Sequence, residues 1–456
     1  MKSKAVTADR MGTEPTGKLL FSMSAPLCLS MLVQALYNIV DSIFVSRISE
    51  QALAATSLAF PVQSLMISFG VGMAVGMAAL LSRSLGEGNR KRAQEACYNG
   101  IFIELCGAVV FTLFGLFGTR WFFSTQTSNP VILRYGVDYL SIVCSLSIGF
   151  ILEIVFERVL SATGNTFYNM LSQCCGAIFN CIFDPILIFG LCGFPEMGIK
   201  GAAIATVSGQ FLAMILAVIF NIKKNHDVSV IWKNFKPQID VIREILSVGV
   251  PSFFMQAITS ITTYVMNSIL IAYSEAAVTV YGIYFKLQSF IFMPIFGMNN
   301  GMVPIIAYNY GAKLKDRIMS TLKYAIGAST CIMLIGTLLF NLFPEWFMKL
   351  FNAEGELLTL GCIALATISF HFIFAGFNIV ILSAYQALGN GVYALIISIL
   401  RQLVLIIPIA FILGKMFGVN SLWWAFPIAE VISTIVNVFL FRKIYKDKIE
   451  PLGTVS

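Results

Sequence analysis

Long apolar runs separated by short polar connections make up nearly the whole chain. The runs fall at about 18–45, 52–82, 95–118, 132–160, 166–191, 198–221, 244–272, 276–309, 320–342, 356–387, 391–414 and 420–441. An α-helix rises 1.5 Å per residue, so about 20 residues cross the roughly 30 Å hydrocarbon layer, and every run reaches that length. Several have residues to spare for tilting or projecting beyond the bilayer. The pattern predicts an all-α integral membrane protein of twelve transmembrane helices. The longest polar connection, about Asn221 to Arg243, is too short to fold alone.

Composition sharpens this picture. Of 456 residues, 58% are hydrophobic and only 12% charged, where a soluble chain carries roughly 25% charged residues. A mean hydropathy of +0.84 means more apolar side chain than one water-soluble core can hide, so a soluble globule is excluded. The first run follows a charged 18-residue lead and is long enough to span, so it reads as the first transmembrane helix rather than a cleaved signal. Ten cysteines form no CxxC pair, and with only His226 and His371 as partners they are expected to be reduced, with no structural zinc site.

The net charge of +7 matters less than where its basic residues fall. With both termini on the cytoplasmic side, the inward connections hold 22 of the 30 Lys and Arg, including Lys2, Lys4 and Lys233, and the outward ones hold six. Cytoplasmic loops collect Lys and Arg, so the bias predicts cytoplasmic termini in a cell-membrane protein. The two halves also repeat. Pro26 and Pro251, Gly72 and Gly297, Gly76 and Gly301, Gly86 and Gly311, and Gly164-Asn165 and Gly389-Asn390 all stand 225 residues apart. Six helices per repeat brings both halves into the membrane from the same side, related by an axis along its normal. Two pseudo-symmetric six-helix bundles are expected, an N-terminal lobe at 1–222 and a C-terminal lobe at 244–456, joined by a cytoplasmic linker at 223–243.

An ionisable group within the bilayer is costly unless it finds a partner or water, so each one is a functional candidate. Asp41 lies about six residues from the outer end of the first run, with Gln34 and Asn38 on its helix face and Tyr37 beside them. Asp184 lies about six residues from the outer end of the fifth run, so both acids fall at one depth in the outer half of the membrane. Asn180 shares a face with Asp184, and Pro185 leaves the carbonyl of Cys181 without its helical donor. Tyr139 and Thr206 lie at similar depth, so one pocket is predicted to collect Asp41, Tyr139, Asn180, Asp184 and Thr206. Two carboxylates there cannot both ionise cheaply, which suits them to take up and release a proton. The alternative is a polar cluster that only pins helices together.

At these positions and in the glycine pattern the sequence resembles the multidrug and toxic compound extrusion (MATE) family, in its DinF-like and MepA-like branch. The resemblance rests on LYNIVDSIFVSR, SFGVGMAVGMAALLSRSLGEGN, LSATGN and FDPILIFG, with VPSFFMQ and AYNYGAK echoing them in the second half. It implies export of organic cations or amphipathic compounds in exchange for H⁺ or Na⁺, and carries ion coupling onto Asp41, Asn180 and Asp184 with Tyr139 in support. Where NorM-like members place carboxylates, this chain has Gln256 and Asn267, and His371 and Asn378. A hydroxyl expected early in the sixth helix falls at Ala202, which weakens a Na⁺ site at Asp41, Asn180 and Asp184.

Other residues divide between cleft and core. Gln34, Asn38, Met66, Gln256, Lys286 and Met293 are candidate substrate-cleft residues, and Met73, Met77, Met255, Met266, Phe285 and Met298 add side chains that repack easily around apolar ligands. Lys286 is either a tethered cation facing the cleft or a snorkelling residue. Arg401 and Glu430 are expected to neutralise each other, His371 to be a satisfied core residue, and Glu153, Glu157 and Arg158 to form an inner gate or an interfacial ion network. No GxxxxGK[ST], nucleophile elbow or HExxH occurs, so neither an ATPase nor a membrane enzyme is expected and transport draws on an ion gradient. The expected function is multidrug efflux by H⁺- or Na⁺-coupled alternating access. The alternative, a flippase for a lipid-linked precursor, would need a strongly basic cleft, for which only Lys286 offers itself. The expected partners are the lipid bilayer and small amphipathic or cationic substrates. Neither a cofactor beyond the coupling ion nor nucleic acid is expected, and the protein is expected to be a monomer.

Overall fold

Hydrocarbon offers the backbone no hydrogen bonds, so each apolar run must satisfy its own amides, and each folds as a helix. The computed structural model describes residues 7–232 and 235–453; Lys2, Lys4 and Lys233 of the basic tally lie outside them. The spans are α1 (Thr16–Ser46), α2 (Glu50–Gly86), α3 (Arg90–Gln126), α4 (Pro130–Ser145 and Ser147–Ala162), α5 (Thr166–Phe189), α6 (Ile199–Lys224), α7 (Ile239–Leu270), α8 (Glu275–Gly311), α9 (Lys315–Leu342), α10 (Gly355–Ser369 and Phe372–Ala387), α11 (Gly391–Phe417) and α12 (Val419–Leu452). There are twelve when each bent pair counts as one span. α1–α6 form one lobe and α7–α12 the other.

The repeat governs local detail. Ser49 Oγ accepts the Ala52 amide at 3.0 Å to cap α2, and Ser274 Oγ accepts the Ala277 amide at 3.1 Å to cap α8. Where single helices were expected, α4 and α10 are bent by 45° and 48° at breaks around Leu146 and His371, again 225 apart. A break frees carbonyls that a neighbouring helix must satisfy. Thr112 of α3 donates to the Ser145 carbonyl at 3.2 Å, and Thr337 of α9 to the Ser369 carbonyl at 3.0 Å.

The seam between the lobes pairs α2 with α7, α1 with α8 and α2 with α8. Its glycines let backbones touch. A Cβ on Gly86 would lie 1.9 Å from the Tyr308 carbonyl oxygen, and one on Gly311 2.1 Å from that of Arg83. Gly72 meets the Phe253 amide while Gly297 meets that of Cys28, and each such contact maps onto its partner by the 225-residue offset. Polar links follow the same seam. Ser24 Oγ donates to the Met298 carbonyl at 3.2 Å, Arg158 Nη1 to Asn300 Oδ1 at 2.8 Å, and Glu244 accepts from both Arg83 and Arg92. Among the described residues every hydrogen bond and ion pair that crosses the seam lies in the half nearest the chain termini.

A short segment from Thr7 to Thr13 straddles that side. Ala8 and Met11 are buried. The Ala8 amide donates to Asp227 in the connection after α6, while Asn309 of α8 and Arg317 of α9 both donate to the Met11 carbonyl, at 3.0 and 2.9 Å. The Asp227 stretch is held to α3, where Gln94 accepts from the Ser229 amide at 2.7 Å. The segment therefore grips both lobes.

Candidate functional site

Asp184 is fully buried on α5 and faces Asp41 of α1, whose carboxyl lies within hydrogen-bonding contact of it. Two ionised carboxylates offer only acceptors, so a direct hydrogen bond between these two would need a proton on one of them. Asn180, one turn before Asp184, bridges to α6. With its amide turned so that every contact pairs a donor with an acceptor, its nitrogen donates to Asp184 Oδ2 at 3.1 Å, and its oxygen accepts from the Thr206 amide at 3.1 Å and hydroxyl at 3.3 Å. The hydroxyl that meets Asn180 is that of Thr206, one turn after Ala202. Tyr139 is buried on α4, within electrostatic reach of both acids, and its hydroxyl accepts from Gln63 Nε2 of α2 at 3.3 Å. All five predicted site residues converge on one region of the N-terminal lobe, and Asp41 Oδ1 is buried there without a partner among the described residues.

Among the described residues the C-terminal lobe has no counterpart. At the 225-residue offset Asp41 is answered by Met266 and Tyr139 by Ala364, both buried. Its polar cluster is instead satisfied internally. Glu430 Oε1 accepts from Arg401 at 3.2 Å and from Asn378 at 2.7 Å, Asn437 donates to Asn378 at 2.9 Å, and Tyr385 donates to Asn437 at 2.6 Å. These bonds tie α10, α11 and α12 together. His371 is buried with Nδ1 2.6 Å from the Ile368 carbonyl, as a satisfied core residue should be.

The cleft residues are placed less as expected. Met66 is 2% exposed, in the core of the N-terminal lobe among residues that include Phe111 and Tyr139. Met73, Met77, Met266 and Met298 are buried as well; Gly249 packs on Met73 and Gly100 on Met77. Met255, Phe285, Met293 and Gln256 are half-buried, and Asn38 is exposed. Gln34 turns into its own lobe, where it lines a small cavity with Tyr37 and Asn180. Lys286 is exposed and its Nζ lies 5.9 Å from the Phe351 ring of its own lobe. Glu157 accepts from Ser172 at 3.0 Å, and Arg158 bonds across the seam. Two residues escaped the sequence reading: Gln63, which holds Tyr139, and Glu104 of α3, fully buried with neither oxygen partnered.

Known proteins share this architecture. The MatE family model matches residues 26–186 and again 251–412, the two halves of the repeat. The multidrug export protein MepA of Staphylococcus haemolyticus is 28% identical over 424 residues, covering 93% of this chain and 92% of the relative. MepA of Staphylococcus aureus is 27% identical over 441 residues, with 94% of each chain covered. Among solved structures, an outward-facing multidrug resistance MATE family transporter of the MOP superfamily superposes with a TM-score of 0.91 at 24% identity, over all of both chains. A MOP superfamily transporter from Pyrococcus furiosus, described as having a binding pocket of reverse polarity, gives 0.91 at 23%, also over all of both chains. The fold is therefore that of the MATE transporters, and with the family model matched across both repeats the chain belongs to the MatE family.

Proposed function

We propose that this protein is a multidrug efflux antiporter of the cell membrane, exporting amphipathic or cationic compounds in exchange for H⁺ by alternating access. The observation that carries the reading is the pairing of Asp41 and Asp184, two acids within membrane-spanning helices that face each other from separate spans and cannot both ionise cheaply. Proton binding drives a conformational change only if the two states differ in proton affinity, since a ligand bound equally in both shifts nothing. The site meets that need. The proton holds α1 to α5 through the acid pair, and its loss leaves two carboxylates in a site with little solvent. Pro26 and the Asp184-Pro185 step are where α1 and α5 can bend in response.

The lobes at 1–222 and 244–456 are the moving bodies and 223–243 is their linker. The basic side is cytoplasmic, so the sealed seam closes the inner face and substrate leaves outward. Na⁺ is the second candidate ion, with Asp41, Asn180, Asp184 and Thr206 as its oxygen ligands, but the carboxyl–carboxyl contact favours the proton. The protein works as a monomer in the bilayer, without nucleic acid and without a cofactor beyond the coupling ion.

The test is efflux of the fluorescent cation ethidium from vesicles, with the proton and sodium gradients collapsed one at a time. Proton-coupled export stops when the pH gradient is removed and is indifferent to sodium. Asp41→Asn should abolish coupled efflux in a protein that still folds and inserts; wild-type transport by that variant would refute the assignment.

A further inference from the structure

Below the acid pair, on the side toward the seam, the N-terminal lobe has a partly open pocket of about 40 Å³ between α1, α4, α5 and α6. Its upper wall is Asn180, which donates to Asp184, and Thr206, which bonds Asn180; its lower wall includes Glu153, Gln173 and Gln210. Two lining atoms, Glu153 Oε2 and Gln210 Oε1, are buried without a partner among the described residues. Leaving a buried polar atom unpaired costs about 1–3 kcal/mol, and a buried water needs roughly 10–15 Å³ of such space with two to four polar partners. The cavity therefore has room and partners for two or three waters. One turn below, Glu157 accepts from Ser172, and the next residue, Arg158, bonds to Asn300 of the other lobe.

We propose that Glu153 is a second proton-carrying residue of the N-terminal lobe, joined to the Asp41–Asp184 pair through water in this cavity. The inference rests on the proton-coupled reading above and extends it to the route the proton takes. The acid pair gives its proton to a cavity water, which passes one to the Glu153 carboxylate; each O–H bond broken is matched by one formed, and no redox partner is needed. The ionisable groups facing Glu153 are Glu157 on its own helix and Tyr37 of α1; Gln34, Gln173 and Gln210 complete the polar wall. Because Glu153 precedes Arg158 by little more than one turn, its charge is placed to be felt at the seam.

The experiment compares wild type, Glu153→Gln, Glu153→Asp and Asp41→Asn in proteoliposomes, reading ethidium transport under an imposed pH gradient across pH 6–8, with ethidium binding to the detergent-solubilised protein as an independent readout. Glu153→Gln should slow proton-driven transport at least tenfold and alter its pH profile while binding affinity stays within twofold, and Glu153→Asp should restore part of the rate. Wild-type rate and pH profile in Glu153→Gln, together with loss of transport in Asp41→Asn, overturns the Glu153 role alone; wild-type transport in both overturns the parent reading. Loss of ethidium binding in Glu153→Gln and Glu153→Asp alike would also overturn it, by assigning the residue a structural role.

Discussion

The amide of Ala8 donates to Asp227 Oδ2 at 3.2 Å, joining the N-terminal segment to the connection that follows α6. Burial lifts the Asp227 carboxyl from its ordinary 3.8 to about 6, against the opposing pull of Ala8, Arg90 and His226 and with the help of Asp9. Because this acid is raised in the docked state, its proton favours docking. The contribution is full below about pH 4, shrinks as pH rises, and is gone above about 6. Amide exchange in residues 8–14, corrected for intrinsic rates, should slow between pH 7 and pH 5. In Asp227→Asn, which stays neutral throughout, that pH response should vanish; its persistence would assign it elsewhere.

Glu244 bridges two arginines, with Arg92 Nη2 2.7 Å from Oε2 and Arg83 on Oε1. Partly exposed pairs of this kind contribute about 0.2–1 kcal/mol each. Glu244→Gln should raise the population opened on the termini side severalfold, read as faster labelling of a single cysteine placed at Ser84. High salt should narrow the difference from wild type.

Alanine at Gly86 or Gly311 places a methyl against the carbonyl of Tyr308 or Arg83, which are backbone atoms and cannot swing aside. Overpacking of this kind costs about 1–3 kcal/mol. Either substitution should lower both thermal stability and transport, and by similar amounts because the repeat exchanges the two contacts. Gly282→Ala, whose Cβ would meet nothing within 4 Å, is the control that should behave as wild type.

Arg401 and Glu430 should behave as a structural pair. Arg401→Met leaves a buried carboxylate uncompensated and is expected to cost about 3–5 kcal/mol in thermal unfolding. Combining it with Glu430→Gln, which can still receive the Asn378 amide, should recover most of that loss. If the double variant is as unstable as the single one, the pair is not what Arg401 contributes.

The spans, the repeat and the acid pair were legible because each answers to a rule that acts along the chain. Hydrocarbon thickness sets run length, glycines recur wherever two backbones touch, and an aspartate within an apolar run is too costly to be incidental. What the sequence hid depends on neighbours in space. Met66 and Met266 look the same whether they face lipid, cleft or core, since a helix that is apolar all round has no marked face. Gln63 became meaningful only once α2 lay beside Tyr139. Glu104 did carry a signal, as a single acid in FIELCG amid apolar residues.

The bends in α4 and α10 were equally hidden, because the hydroxyls of Thr112 and Thr337 that make them tolerable come from other helices. Their presence divides labour along a single membrane crossing. The part of α4 before the elbow carries Tyr139 beside the acids, and the part after it carries Arg158, docked on the opposite lobe. A straight rod would transmit any tilt from end to end; a jointed one lets events near one surface be buffered from the other, so in the proposed mechanism loading an ion and unlocking the far doorway are separable movements.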